Sequence, residues 1–209
     1  MKKNIIIGYS GHAYVVCDIF ESNSQKVFGY FENEKKENNP FNLNYLGSEK
    51  DETAIKILTN SNWFVAVGDN FLRKKITEYL SENHVIQPVT IKHKMSIISG
   101  SVQIGDGTMV AGGAIVNPEA ILGNGVICNT GSIIEHECVI HDFAHIAPGA
   151  VLAGNVEIGE YSFVGANAVI IEGITIGKNV RIGAGSVVIR DIPNGVTVVG
   201  NPGRILDVH

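Results

Sequence analysis

No apolar stretch in this 209-residue chain approaches the ~18 residues needed to cross a bilayer, so a membrane span is not expected. The opening MKKNIIIGYSGH carries two lysines and three isoleucines. Its apolar part is too short for a signal peptide and reads as a buried first strand. Runs of basic residues are missing as well, and the formal net charge is −5. Phosphate backbones need clustered Lys and Arg, so nucleic acid is not expected as a partner, although a local anion site is not excluded. Cysteine is scarce: Cys17, Cys128 and Cys138 are odd in number and have no paired spacing. That argues against a disulfide framework and for a reducing, cytoplasmic setting. Charged residues are only 18% against 44% apolar, which leaves enough apolar side chains for a sizeable core.

What is present falls into two parts. Residues 1–90 alternate short apolar runs with helical spacing: strands at Lys3–Gly8, Lys26–Phe31 and Trp63–Val67, helices at His12–Glu21, Asp51–Thr59 and Asn70–Ser81. That alternation predicts a small α/β domain on a parallel sheet. Residues Asn33–Asn44, rich in Asn, Glu and Lys, read as an exposed loop.

Residues 91–209 follow another rule. From Ile98 to Val188 a large aliphatic recurs every six residues at sixteen consecutive positions, with Cys128 the one exception in kind. Four residues after each comes a smaller side chain, except at Ile174 and Ile192. Gly, Asn and Asp fill the intervals. A period of six fits neither a helix nor a simple alternating strand; it fits a solenoid. Each hexad makes one short strand and one corner, and three hexads make a triangular coil, so residues 18 apart stack. About five coils give roughly 25 Å of stack at ~4.8 Å per strand. Gly and Asn at corners supply backbone conformations that other residues resist.

The hexads resemble the hexapeptide-repeat acyltransferases. The resemblance implies a left-handed parallel β-helix over residues 98 to about 206 and a homotrimer. The tail Val198-Val-Gly-Asn-Pro-Gly-Arg204 is similar to that family's G-x-P-A-K/R ending, with Gly203 in place of Ala.

Within this frame lies EHECVIHDFAHI, residues 135–146, with three histidines and two glutamates. His136 and His141 have the H-x4-H spacing of the zinc-binding γ-carbonic anhydrases. Zinc needs a third protein ligand, yet residues 98–134 contain no histidine, and Pro118 and Gly100 stack below His136. No metal is therefore expected. His141 reads as a solvated corner residue. His136 suits a general base, because a neutral imidazole titrates near ~6.5, and Glu137 beside it can orient the ring. Cys138 falls at a small inward position and reads as packing.

Asn129-Thr-Gly-Ser-Ile-Ile-Glu-His-Glu-Cys-Val-Ile140, then Phe143-Ala-His145 and Ala153-Gly-Asn-Val156, resembles the sugar acetyltransferases of the PglD/NeuD group. That resemblance implies acetyl-CoA as co-substrate, with His136 as base and Glu137 tuning it. It implies His145 at the thioester end and the backbone near Ala166 and Ala184 along the pantetheine arm. Ile5-Ile-Ile-Gly-Tyr-Ser-Gly-His12 is a strand, a Gly-rich turn and a helix, a phosphate cradle in form but a weak motif alone. In the same group this turn binds the nucleotide of a UDP-sugar, which implies substrate contacts at Ser10, Gly11 and His12, and at Glu32, Asn33 and Gly68. The resulting expectation is an acetyl-CoA-dependent N-acetyltransferase for the 4-amino group of a UDP-linked 4-amino-4,6-dideoxy-sugar. Sialic acid O-acetylation, a GDP- or dTDP-linked amino sugar, a γ-carbonic anhydrase-like metalloenzyme and a non-catalytic β-helix scaffold stand as alternatives.

Overall fold

The computed structural model describes residues 2–83, 85 and 87–206. The first part is a four-stranded parallel sheet in the order β3-β2-β1-β4, built from β1 (Asn4–Ile7), β2 (Val27–Phe31), β3 (Asn44–Tyr45) and β4 (Asn62–Val65). Three helices connect it: α1 (Gly11–Ser22), α2 (Glu52–Thr59) and α3 (Asn70–Glu82). β1 is buried on both sides because its isoleucines serve two cores. Ile6 packs with α1 residues such as Val16 and Phe20, while Ile5 and Ile7 pack with Leu58, Trp63 and Leu80. Strand order reverses at β1, and the crevice beyond the carboxyl ends of such strands is where open α/β sheets bind ligands. β3 escaped the sequence reading because two residues show no periodicity. The loop before it is largely exposed, but Asn39 anchors it by accepting from the Tyr9 hydroxyl at 2.8 Å.

The second part is a parallel β-helix with three flat faces. Stacked strands are 18 residues apart: Ile121 pairs with Val139, Ile127 with His145 and Ile133 with Val151. Inside, Val110, Cys128, Ile146, Val164 and Ile182 are buried in one continuous column. The stack begins at Ile91, one hexad earlier than the aliphatic run shows, because Lys92 occupies the corresponding site at the open end. The last coil is two residues short, with Arg181 against Thr197 and Ile176 against Ile192. There Asp191 Oδ1 accepts from Thr175 N–H at 2.8 Å and substitutes for a ladder bond.

Every sixth residue from Gly107 to Gly185 has φ between +52° and +71°. Most of these corners are Gly or Asn, the residues that tolerate the left-handed region. Glu119, Glu137, Phe143 and Tyr161 are not, so something else must repay their strain.

For Phe143 and Tyr161 the reason is docking. The α/β domain covers the face bearing Met109, Ile127 and His145, all buried. The rings of Phe71 and Tyr161 stack at 5.2 Å, and Tyr161 continues to Phe143 at 6.2 Å. Arg73, 1% exposed, threads between the two parts. Its guanidinium donates to the carbonyls of Gly125 (2.8 Å), Phe143 (2.9 Å), Val67 (3.1 Å) and Gly68 (3.2 Å), and to Asn70 Oδ1 (2.9 Å). A buried cation is tolerable only when all its donors are satisfied, as they are here. Arg73→Met strands the carbonyls of Gly125, Phe143 and Val67 and is expected to cost more than about 3 kcal/mol, read as a lower midpoint in chemical denaturation. A midpoint unchanged from wild type would show that Arg73 does not fasten the two parts.

Candidate active site

His136 and Glu137 stand at the corner between two faces that the α/β domain leaves bare. One carries Ile97, Ile115, Ile133, Val151, Val169 and Val187; the other carries Ile121, Val139, Glu157 and Thr175. His136 Nδ1 and Glu137 Oε2 are 3.0 Å apart, and both side chains are more than half exposed. The positive φ of Glu137, +61°, turns its side chain toward the imidazole beside it. With Nδ1–H donating to the carboxylate, Nε2 keeps a lone pair. The ring lies over Gly154 in the next coil: a Cβ there would come within 2.5 Å of His136 Cε1 and 2.7 Å of Nε2. Gly154 was not among the expected site residues, although its place 18 residues after His136 was a usable signal.

A second group gathers where the α/β domain meets the helix. His145 projects from the docked face and is 7% exposed. Its Nε2 accepts from Asn129 Nδ2 at 3.1 Å, and its Nδ1–H donates to Gly68 O at 3.3 Å. Burial first, then the Arg73 cation and His12, push its pKa down to about 3. The His12 ring lies 6.2 Å from that of His145, and burial and Arg73 push its pKa down to about 4. Both rings are therefore neutral near pH 7. His12 Nε2 is buried and has no hydrogen-bond partner among the described residues. Gly68, His12 and His145 thus meet in one place, and Asn129 and Arg73 join them.

The third group is the crevice at the sheet's carboxyl edge. Gly8 has φ +88°, and a Cβ on it would sit 2.7 Å from Val67 Cγ2, so only glycine fits. Ser10 precedes α1 and its hydroxyl caps no amide, which leaves the first N–H groups of α1, from Gly11 onward, with no side-chain partner at this cap. Glu32 takes Tyr9 N–H on Oε2 and Asn33 N–H on Oε1, each at 3.2 Å. The crevice has a volume of about 310 Å³ and is also lined by Glu49, Lys50 and Lys75, which were not foreseen.

Ala166 and Ala184 stack in successive coils, with Gly185 N–H donating to Ala166 O at 2.8 Å. They lie on the corner between the docked face and the aliphatic face, not on the corner of His136. One chain therefore brings His12, Gly68 and His145 together, and separately Ser10, Gly11, Glu32 and Asn33. It leaves His136–Glu137 and Ala166–Ala184 on two other edges.

Other groups do not qualify. Burial raises the thiol pKa of Cys17 and Cys128 to about 12. Cys138 is raised by burial and donates to Ala153 O at 3.1 Å. A protonated thiol is a poor nucleophile. His141 pairs with Glu157 at 2.8 Å on the surface. Among the described residues no cluster of three His, Cys, Asp or Glu is placed to hold a metal ion, and no helix is long and apolar enough to cross a membrane.

A small α/β domain seated on a β-helix of hexads is an architecture that comparison with known proteins places in a class of transferases. Residues 3–80 match the PglD N-terminal domain, and residues 155–190 match the bacterial transferase hexapeptide (six repeats). A variant of the GDP-perosamine N-acetyl transferase from Caulobacter crescentus, in complex with CoA and GDP-perosamine, is 31% identical. It superposes with a TM-score of 0.92 over 100% of this chain and 98% of that one. The acetyltransferase domain of PglB from Neisseria gonorrhoeae FA1090, in complex with acetyl coenzyme A, is 32% identical, with a TM-score of 0.91 over 98% and 99% of the two chains. WeeI from Acinetobacter baumannii AYE is 25% identical, with a TM-score of 0.87 over 99% and 100%. A search of proteins with curated function finds no match. The chain belongs to the hexapeptide-repeat sugar acetyltransferases of the PglD type.

The corner geometry separates stability from chemistry at one residue. Glu137→Gly removes a Cβ from a left-handed corner and is expected to stabilise the fold by on the order of 1 kcal/mol while lowering acetyl transfer. Thermal melts and turnover of the same preparation check it. A variant that loses stability, or keeps full activity, would contradict the assignment of this corner.

Proposed function

We propose that this protein is an acetyl-CoA-dependent N-acetyltransferase acting on a nucleotide-linked amino sugar, with His136 as general base. The observation that carries the reading is the His136–Glu137 pair, 3.0 Å apart on an exposed corner of a β-helix. The sugar's amine attacks the thioester carbonyl as a neutral nucleophile. Nε2 of His136 takes its proton as the N–C bond forms, and Glu137 steadies the imidazolium at Nδ1. The C–S bond then breaks, and the proton passes on to the departing thiolate. Backbone N–H groups of the coils would face the oxyanion. Gly154 leaves the ring its space.

Ser10 and Gly11 would hold the nucleotide's phosphates at the start of α1, with Glu32 and Asn33 in the same crevice. His12 and Gly68, read from the sequence as further substrate contacts, sit beside His145 at the seam with the β-helix and would act from there. Acetyl-CoA as co-substrate is supported by relatives bound to CoA and acetyl coenzyme A, and His145, Ala166 and Ala184 would serve it. We place the domain division at residues 1–90 and 91–209. Because His136 lies on a different edge from the nucleotide crevice, a second copy must complete the site. The aliphatic face beside His136 supplies a surface for it, in line with a homotrimer. The acceptor read from the sequence is a UDP-linked 4-amino-4,6-dideoxy-sugar. A GDP-linked sugar is a second reading, favoured by the relative that binds GDP-perosamine.

Thiol release from acetyl-CoA against UDP-, GDP- and dTDP-linked 4-amino sugars and free sialic acid tests this. Turnover of a nucleotide amino sugar is expected, with His136→Ala slower by about 10²–10⁴-fold. Full activity in His136→Ala would remove the base assignment, and turnover of sialic acid alone would overturn the acceptor class.

A further inference from the structure

Glu49 is 9% exposed, yet it lines the crevice at the carboxyl edge of the sheet. A buried carboxylate needs charge partners or several donors. Glu49 has neither among the described residues: its carboxylate is reached only by the Ser48 hydroxyl at a marginal 3.5 Å, and no Lys, Arg or His is within ion-pair distance, so the group is tolerated because it stays open to the crevice. Glu32, across the same crevice, differs. Each of its oxygens is already engaged by a backbone N–H, and Lys36 Nζ lies 3.7 Å away. Glu49 therefore keeps its accepting capacity for something that enters the crevice.

The surroundings describe that occupant. The phosphate-binding turn at Gly8 and Ser10 forms one part of the lining. Leu72, Ile76 and Tyr79 of α3 form an apolar wall suited to the face of a planar ring. Lys50 and Lys75 also line the crevice, and neither pairs with a carboxylate among the described residues. A planar base whose edge offers adjacent N–H donors, next to a carbonyl acceptor for a lysine, fits this set. Guanine offers N1–H and the N2 amino group side by side, with O6 adjacent. Uracil and thymine present one N–H flanked by two carbonyls, which a carboxylate would repel. Adenine and cytosine present one amino group beside an acceptor nitrogen.

We infer that Glu49 reads the base of the nucleotide sugar and selects guanine by accepting from N1–H and N2–H. This rests on the nucleotide-sugar reading of the crevice and decides between its two nucleotides in favour of GDP.

Calorimetric titration of the full-length protein with GDP, UDP and inosine diphosphate, for wild type and Glu49→Gln, tests it. A bidentate contact to a base edge predicts GDP binding tighter than UDP by on the order of 10- to 100-fold. Inosine diphosphate, which lacks the N2 amino group, should fall between them. Glu49→Gln should weaken GDP by a similar factor and leave UDP unchanged, with the variant's melting temperature confirming that it folds. UDP binding as tightly as GDP, or GDP affinity untouched by Glu49→Gln, would overturn the guanine assignment alone. No nucleoside diphosphate binding to the folded wild type would overturn the nucleotide-sugar reading together with it.

Discussion

Every sixth residue between 107 and 185 holds its backbone at positive φ, a conformation that costs a residue with a Cβ about 1–2 kcal/mol. The prism depends on this constraint, because a corner that refused it would break the stacking of strands above and below. Gly and Asn meet it cheaply. At three of the four corners that carry a costlier residue, that residue acts outside the prism; Glu119 is the exception. Phe143 and Tyr161 build the aromatic stack that receives the α/β domain, and Arg73 locks that domain by donating to the Phe143 and Gly125 carbonyls. Glu137 reaches the His136 imidazole. Docking and the proposed chemistry both fall on the corners, at positions the fold would otherwise give to glycine.

The three faces divide the labour. One face is sealed by the α/β domain, whose contact buries His145 and keeps its ring neutral. The two bare faces meet at His136. The crevice proposed for the nucleotide opens at the edge of a sheet docked on the opposite face, so a single chain separates the proposed base from the group it would deprotonate. The aliphatic face next to the His136 corner offers the surface on which the proposed association would bring a neighbour's crevice to that corner.

Much of this was legible in the residues. The hexads gave the coil, the 18-residue stacking and the inward column, because a six-residue period admits few other folds. The His136–Glu137 pair was readable because adjacent residues at a corner can face the same way. Other features were hidden because they depend on tertiary contacts. The first coil was masked by Lys92, which lies at the open end and needs no aliphatic side chain. Arg73 looks like an ordinary helix arginine until its carbonyl partners are brought to it from residues 52 and 70 positions away. Glu49 sits in a polar loop with no motif, and only burial marks it. Gly154 matters through His136 below it in the stack, which the 18-residue register shows and local patterning does not.

The claim that the site is shared between copies is tested most directly by mixing two inactive variants. His136→Ala removes the proposed base, and Gly11→Asp blocks the turn proposed to hold the phosphates. Each alone is expected to be inactive. Unfolded together in equal amounts and refolded, the two should regain about a quarter of wild-type turnover, the share of neighbouring pairs in which an intact crevice faces an intact base. A mixture that stays as inactive as its components would show that each chain carries a complete site of its own.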